Sequence, residues 1–292
     1  MTEVSKPTRV CGLTGATGFV GTYLSPALQD RGWRVVPITR DATNFGDASA
    51  LADFLAAHEV SDIVHLAAQA NPAAGDTRAF YETNAFLTER LLEAAVRVGL
   101  PGRFLHVSAA SVYGDSAEGL HDERTPLRPL NHYAASKALA ETFVDWRRGE
   151  IDVAIARPSN CIGRGQNPRY LIAKLSAAFG ARGPEISLGD VDIARDFVDV
   201  RDACDILERA LSAPSGVAPI VNVASGRATQ IREILALLTD ITGHSPRILR
   251  DERFIRTGDM LRQKCDISIA RELGHTPSHN LRDSLSWILG TV

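Results

Sequence analysis

Short apolar runs at residues 10–14, 34–39, 63–68, 104–108 and 153–157 alternate with helical periodicity at 23–30, 50–58, 80–98 and 133–147. Each run is apolar or β-branched, closes on a polar or glycine-bearing turn, and is too short for a helix. That alternation leaves few architectures open. Strands separated by helices pair in parallel through crossovers, so the first half reads as an α/β, doubly wound parallel sheet. Pro26 conflicts with this, because inside a helix its missing N–H and ring clash should kink or break the helix at about 3 kcal/mol. After Arg157 the rhythm changes. Residues 158–168 carry Gly163, Gly165 and two prolines, which predicts a long loop. A helix at 199–211 and a strand at 220–224 return to the first pattern. Weaker alternation and more arginine elsewhere predict a smaller, discontinuous α/β lobe. The expected division is residues 1–164 with 194–224 for the sheet domain and 165–193 with 225–292 for the lobe.

Composition narrows the classes. Lys plus Arg number 32 and Asp plus Glu 35, a formal net charge of −3, which gives no basic footprint for nucleic acid or a membrane surface. No apolar run approaches the roughly 18 residues of a membrane span. Residues 1–9 are polar and do not resemble a signal peptide. Cys11, Cys161, Cys204 and Cys265 are scattered without metal-ligand spacing and read as reduced thiols. His65 and His106 read as core or strand-end histidines, and Trp146 and Trp287 as packing residues. A cytoplasmic protein with no metal, nucleic-acid or membrane partner is expected.

The segment Thr14-Gly15-Ala16-Thr17-Gly18-Phe19-Val20-Gly21 follows the first predicted strand and opens the first helix. Glycines at that spacing permit a tight turn, close approach of a pyrophosphate to backbone, and close helix–strand packing. The helix N-terminus adds free N–H groups and partial positive charge. A dinucleotide site usually shows an acid at the tip of the second strand to bind the adenosine ribose. Here that strand ends in Ile38-Thr39-Arg40. A hydroxyl beside a guanidinium suits a 2′-phosphate, so NADP(H) is expected over NAD(H). NAD(H) is the alternative, with Arg40 solvated and Asp41 serving as the acid.

Tyr133-Ala134-Ala135-Ser136-Lys137 puts a phenol and an ammonium four residues apart on one helix face. A free phenol has a pKa of about 10. A neighbouring cation stabilises the phenolate and brings its proton within reach at neutral pH.

The chain resembles the extended short-chain dehydrogenase/reductase family. The resemblance rests on residues 14–21, His65-Leu66-Ala67-Ala68-Gln69, Asn84, Val112-Tyr113-Gly114, the Tyr133–Lys137 pair, Arg157-Pro158-Ser159-Asn160 and Arg195-Asp196-Phe197-Val198-Asp199-Val200. Within the family it is most similar to reductases of GDP-4-keto-6-deoxymannose, through residues 127–133, 163–168, 195–197 and 225–228. The resemblance implies reduction of a nucleotide-activated 4-keto-6-deoxy sugar, with Tyr133 as proton donor and Lys137 tuning it. It implies a homodimer built on the 80–98 and 133–147 helices. The cofactor would contact Gly15, Thr17, Gly18, Phe19, Val20, Gly21, Thr39, Arg40, Asn44, Phe45, Leu66, Ala67, Ala68, Asn84 and Pro158, besides Tyr133 and Lys137. The nucleotide sugar would contact Gln69, Ser111, Asn160, Arg195 and Arg256; solvated charge is the alternative for the two arginines, weaker for Arg195 than for Arg256.

The sequence departs from the family where a catalytic Ser or Thr is expected, because that position is Ala109. Loss of one such donor typically lowers rate by on the order of 10²–10³. Ser111 or Ser108 could replace it, with Ser111 favoured; Tyr133 and Lys137 could act with a water; or catalysis is impaired and the chain is a cofactor-binding protein. A 4-epimerase retaining NAD is the other enzymatic reading. A dehydratase is disfavoured, because Ala110 and Ser111 stand where dehydratases carry a carboxylate pair.

Overall fold

The structure is a computed structural model and describes residues 9–70, 76–115, 119–254 and 261–291. The chain runs β1 (Val10–Thr14), α1 (Phe19–Asp30), β2 (Arg34–Ile38), α2 (Ala48–Ala57), β3 (Asp62–His65) and α3 (Arg78–Tyr81). A π-helical turn (Glu82–Phe86) leads into α4 (Leu87–Arg97), then β4 (Arg103–Val107), a 3₁₀ turn (Ala110–Tyr113) and β5 (Leu120–His121). Next come α5 (His132–Trp146), β6 (Asp152–Pro158), β7 (Asn160–Ile162), α6 (Leu171–Gly180), β8 (Glu185–Leu188) and β9 (Ala194–Asp199). The chain closes with α7 (Val200–Ser212), β10 (Ile220–Val223), β11 (Ala228–Gln230), α8 (Ile231–Thr242), β12 (Arg247–Arg250), β13 (Lys264–Cys265), α9 (Ser268–Glu272) and α10 (Leu281–Leu289).

Six parallel strands form the main sheet in the order β10-β6-β4-β3-β1-β2. The connection from β1 runs outward to β2, whereas β3 lies on its other side. The order therefore reverses between β1 and β3, the place where open α/β sheets leave a crevice beyond their carboxyl ends. β1, β3 and β4 are buried at every position, as strands covered by helices on both faces must be. Edge strand β2 alternates with water and carries Pro37, tolerable because an edge strand need not donate on both sides.

The chain divides into two compact units, Met1–Ala109 with Asn131–Arg157 and Leu207–Val221, and Ala110–Leu130 with Pro158–Ile206 and Asn222–Val292. The first unit's core includes Leu51, Leu55, Ile63, Leu91, Phe104 and Ile155. Its sheet is clipped at the amino edge by Arg103, which is 2% exposed, pairs with Asp152 at 3.0 Å, and donates to the carbonyls of Ala210, Pro214 and Val217. The second unit has its own core of Ile172, Leu175, Phe179, Ile186, Ile234 and Leu285. It contains the sheets β11-β9-β7, β12-β8 and β13-β5.

The structure corrects three expectations. α1 starts at Phe19 and continues through Pro26. Thr22, whose carbonyl loses the N–H of Pro26, and Pro26 itself are both exposed, so water can satisfy the freed carbonyl. The helix expected at 80–98 is interrupted by the π-helical turn. The loop expected at 158–168 contains strand β7, paired parallel to β9.

Candidate active site

Gly15 sits at φ +70°, and a Cβ there would lie 2.8 Å from the Ala67 nitrogen. A Cβ at Gly21 would fall 2.2 Å from the Gly15 oxygen, so only glycine lets α1 pack against its own entry turn. α1 has no side-chain cap, which leaves its first amides pointing outward as anion donors.

A cleft of about 330 Å³ opens over this turn, lined by Gly15, Ala16, Thr17, Gly18, Ile38, Thr39, Arg40, Phe45, Leu66, Ala67, Ala68, Gln69, Thr83 and Leu87. No carboxylate is among them. Ala16, Ile38, Thr83 and Leu87 were not expected from the sequence; Thr83 and Leu87 arrive through the π-helical turn, which periodicity cannot reveal. Phe19, Val20 and Gly21 form the first turn of α1. The Asn44 Oδ1 accepts from the Gly46 nitrogen at 2.9 Å, closing the turn that presents Phe45. Asn84 is fully buried: its Oδ1 accepts from the Gln69 nitrogen at 2.7 Å, and its Nδ2 donates to the Gln69 oxygen and the Ser136 hydroxyl. Its role is thus to hold the Gln69 backbone. The cleft, glycine turn and open helix end fit an adenine dinucleotide.

On α5, capped by Asn131 onto the Ala134 nitrogen at 2.9 Å, Tyr133 is half-buried with its ring 6.1 Å from that of Phe80. Lys137 is 1% exposed and its Nζ donates to the Val107 oxygen at the end of β4, at 2.7 Å. Burial brings its ammonium down to about 8, against the upward pull of Glu141. Glu141, one turn further along, pairs with Arg157 at 2.7 Å with both side chains buried. Arg157 belongs to a sequence motif, but nothing in the sequence marks Glu141 as its partner except the four-residue step from Lys137.

Ala109 is buried, and the hydroxyls of Ser108 and Ser111 are both buried with no hydrogen-bond partner. Ser111, on the 3₁₀ turn, is the more open residue of the two. Tyr113 is structural: its ring stacks on His121 and its hydroxyl donates to the Asn222 Oδ1 at 2.6 Å. In the second unit, Asn160 donates to the Asp196 carbonyl at 2.9 Å and Arg195 to the Ala194 carbonyl at 3.0 Å. Asp196 is the hub that the sequence did not single out; its carboxylate accepts from the Ser225 amide and hydroxyl and the Gly226 amide. Pro158 ends β6, and Arg256 lies outside the described residues. Burial pushes the Cys161 thiol up to about 12, which makes it a packed rather than a reactive group.

Residues 12–224 match the model of the NAD dependent epimerase/dehydratase family. The chain belongs to that family. It is 32% identical over 293 residues to GDP-6-deoxy-D-mannose reductase of Pseudomonas aeruginosa, covering 95% of each chain. It is also 32% identical over 251 residues to GDP-6-deoxy-D-talose 4-dehydrogenase of Aggregatibacter actinomycetemcomitans, covering 85% of each. Among solved structures, RMD from Pseudomonas aeruginosa complexed with NADPH superposes with a TM-score of 0.87 at 30% identity, covering 97% of this chain and 98% of that one.

Proposed function

We propose that the chain is an NADP(H)-dependent reductase of a nucleotide-activated 4-keto-6-deoxy sugar, acting at sugar C4. The observation that carries this reading is the α5 pair, with Lys137 fixed on the Val107 carbonyl and Tyr133 on the same helix face. A bound nicotinamide would supply or accept the hydride. Tyr133 gives its proton to the oxygen on C4 in the reducing direction and takes one back in the other. The Lys137 ammonium stabilises the phenolate left behind. Ser111, with an unpartnered hydroxyl, supplies the hydrogen bond that Ala109 cannot. Asn160 and Arg195 hold the nucleotide sugar, Arg195 through the pyrophosphate. Thr39 and Arg40 line a cleft free of carboxylates, which favours a 2′-phosphate and hence NADP(H). The relatives named above, one of them solved with NADPH, support the same assignment. The protein acts in the cytoplasm as a homodimer through the outer faces of α4 and α5.

The test is turnover of GDP-, dTDP-, UDP- and CDP-linked 4-keto-6-deoxy sugars with NADPH. Tyr133→Phe should lower kcat by about 10²–10⁴-fold while NADPH affinity stays within a few-fold. Full turnover in that variant overturns the reading.

A further inference from the structure

Beneath the cleft, and reaching its lining only at Ala67 and Gln69, lies a chain of hydrogen bonds that runs in one direction from the Ala67 amide to the Asn84 carbonyl. Thr14, His65 and Thr88 are each at most 1% exposed. The Thr88 hydroxyl donates its one proton to the Asn84 carbonyl at 2.7 Å. Its 3.0 Å contact with the His65 Nε2 must therefore be a hydrogen bond donated by the imidazole. A neutral ring that carries its proton on Nε2 leaves Nδ1 as an acceptor. The Thr14 hydroxyl donates to it at 2.7 Å, and accepts in turn from the Ala67 nitrogen at 3.1 Å. Asn84 then returns to both backbone atoms of Gln69. The circuit thus starts at Ala67, passes through β1, β3 and α4, and comes back two residues away. Burial, together with the nearby Lys137 charge, pulls His65 down to about 3, so the neutral ring persists across working pH.

Both ends of the circuit bear on the cleft. Thr14 immediately precedes Gly15, whose missing Cβ would meet Ala67 at 2.8 Å. Asn84 lies in the turn that delivers Thr83 and Leu87. We propose that His65, held as its Nε2–H tautomer between Thr14 and Thr88, is a positioning residue that locks the glycine turn and the Asn84 turn into the register that receives the dinucleotide. This rests on the cofactor reading of the cleft.

The experiment measures NADPH binding to the full chain by fluorescence titration for wild type, Thr14→Val, Thr88→Val and the double variant. Histidine ¹⁵N correlation spectra of the wild type report the tautomer. Neither threonine lines the cleft, and valine keeps their shape. The expected result is a neutral Nε2–H imidazole for His65, and a Kd for NADPH raised about 5- to 30-fold in each single variant. The double variant should be no weaker than the worse single one, because either substitution already opens the circuit. The KM for the sugar at saturating NADPH should stay within about twofold. Unchanged NADPH affinity in Thr88→Val, multiplicative losses in the double variant, or an Nδ1–H or doubly protonated ring overturns the inference and leaves the cofactor reading intact. A wild type that binds neither NADPH nor NADH overturns both.

Discussion

In the proposed reaction Lys137 is the residue on which the chemistry turns, because its charge exists only below a boundary that burial has moved to about 8. The ammonium form is the one that eases proton release from Tyr133. Its contribution to kcat/KM is therefore present below that pH and fades as pH rises through it. Lys137→Met should remove this alkaline limb as well as lowering the plateau; an unchanged limb in a pH–rate profile assigns it to another group. Stability runs the other way, since an unfolded lysine titrates at about 10.4. Between about pH 8 and that value the unfolded chain binds more protons, so this group's contribution to stability rises with pH. In the proposed reading Arg40 carries the cofactor choice at the same scale. Arg40→Ala should raise KM for NADPH about 10-fold or more, the equivalent of one charge-assisted hydrogen bond, with KM for NADH little changed. Residues such as Gly15, Tyr133 and Lys137 are legible in the sequence because the chemistry demands a residue type at a fixed spacing. Thr88 and Glu141 are not, because no local pattern records them, and Asp196 is visible only as part of a motif, because its partners Ser225 and Gly226 lie far away along the chain.

At the scale of elements, α5 shows why one helix recurs in every part of the site. Tyr133, Lys137 and Glu141 step along one face four residues at a time, meeting Phe80, the end of β4 and Arg157 of β6 in turn. The Glu141–Arg157 pair is buried at 3% and 4% exposure, so removing one partner leaves an uncompensated interior charge. Glu141→Gln should lower unfolding stability in urea by about 3–5 kcal/mol, and should shift the alkaline limb to lower pH because an upward pull on Lys137 is gone. Strand–helix alternation makes β1 to β4 and α1, α2, α4 and α5 readable within a few residues, whereas α3 merges with α4 in a single expected helix. The breaks in that pattern are not readable. A π-helical turn inserts one residue without altering hydrophobicity, and Asn84 holds it through bonds to Gln69 and Ser136 that no periodicity encodes. β7 is obscured by its flanking prolines and glycines, which by themselves predict a loop. The shortest strands, β5 and β13, are too brief to give any alternation.

For the molecule as a whole, the six-stranded parallel sheet agrees with expectation, but Trp146 does not. The sequence predicts a packing role for it, yet it is 68% exposed. It stands against Phe143 at 5.4 Å, and Phe143 in turn stacks on Phe86, itself 37% exposed. Exposed aromatic clusters of this kind mark association surfaces, and this one spans α5 and the π-helical turn before α4, within the 80–98 and 133–147 stretches expected to pair. Trp146→Arg should yield monomers by sedimentation velocity while NADPH still binds; a dimer that survives the change places the contact elsewhere. Among the described residues no helix is long and apolar enough to cross a membrane. The Arg103 clip has a consequence for anyone who would cut or rewire this chain. The linker from Ala213 to Pro219 is largely open to water and looks like a harmless place for new termini or a protease nick. Two of its carbonyls, however, receive a guanidinium sunk beneath the sheet, so severing it loosens two bonds of a buried cation and leaves that cation to Asp152 and the Ala210 carbonyl alone. The open turn around Gly149 carries no such tether to Arg103, and is where a circular permutant should begin.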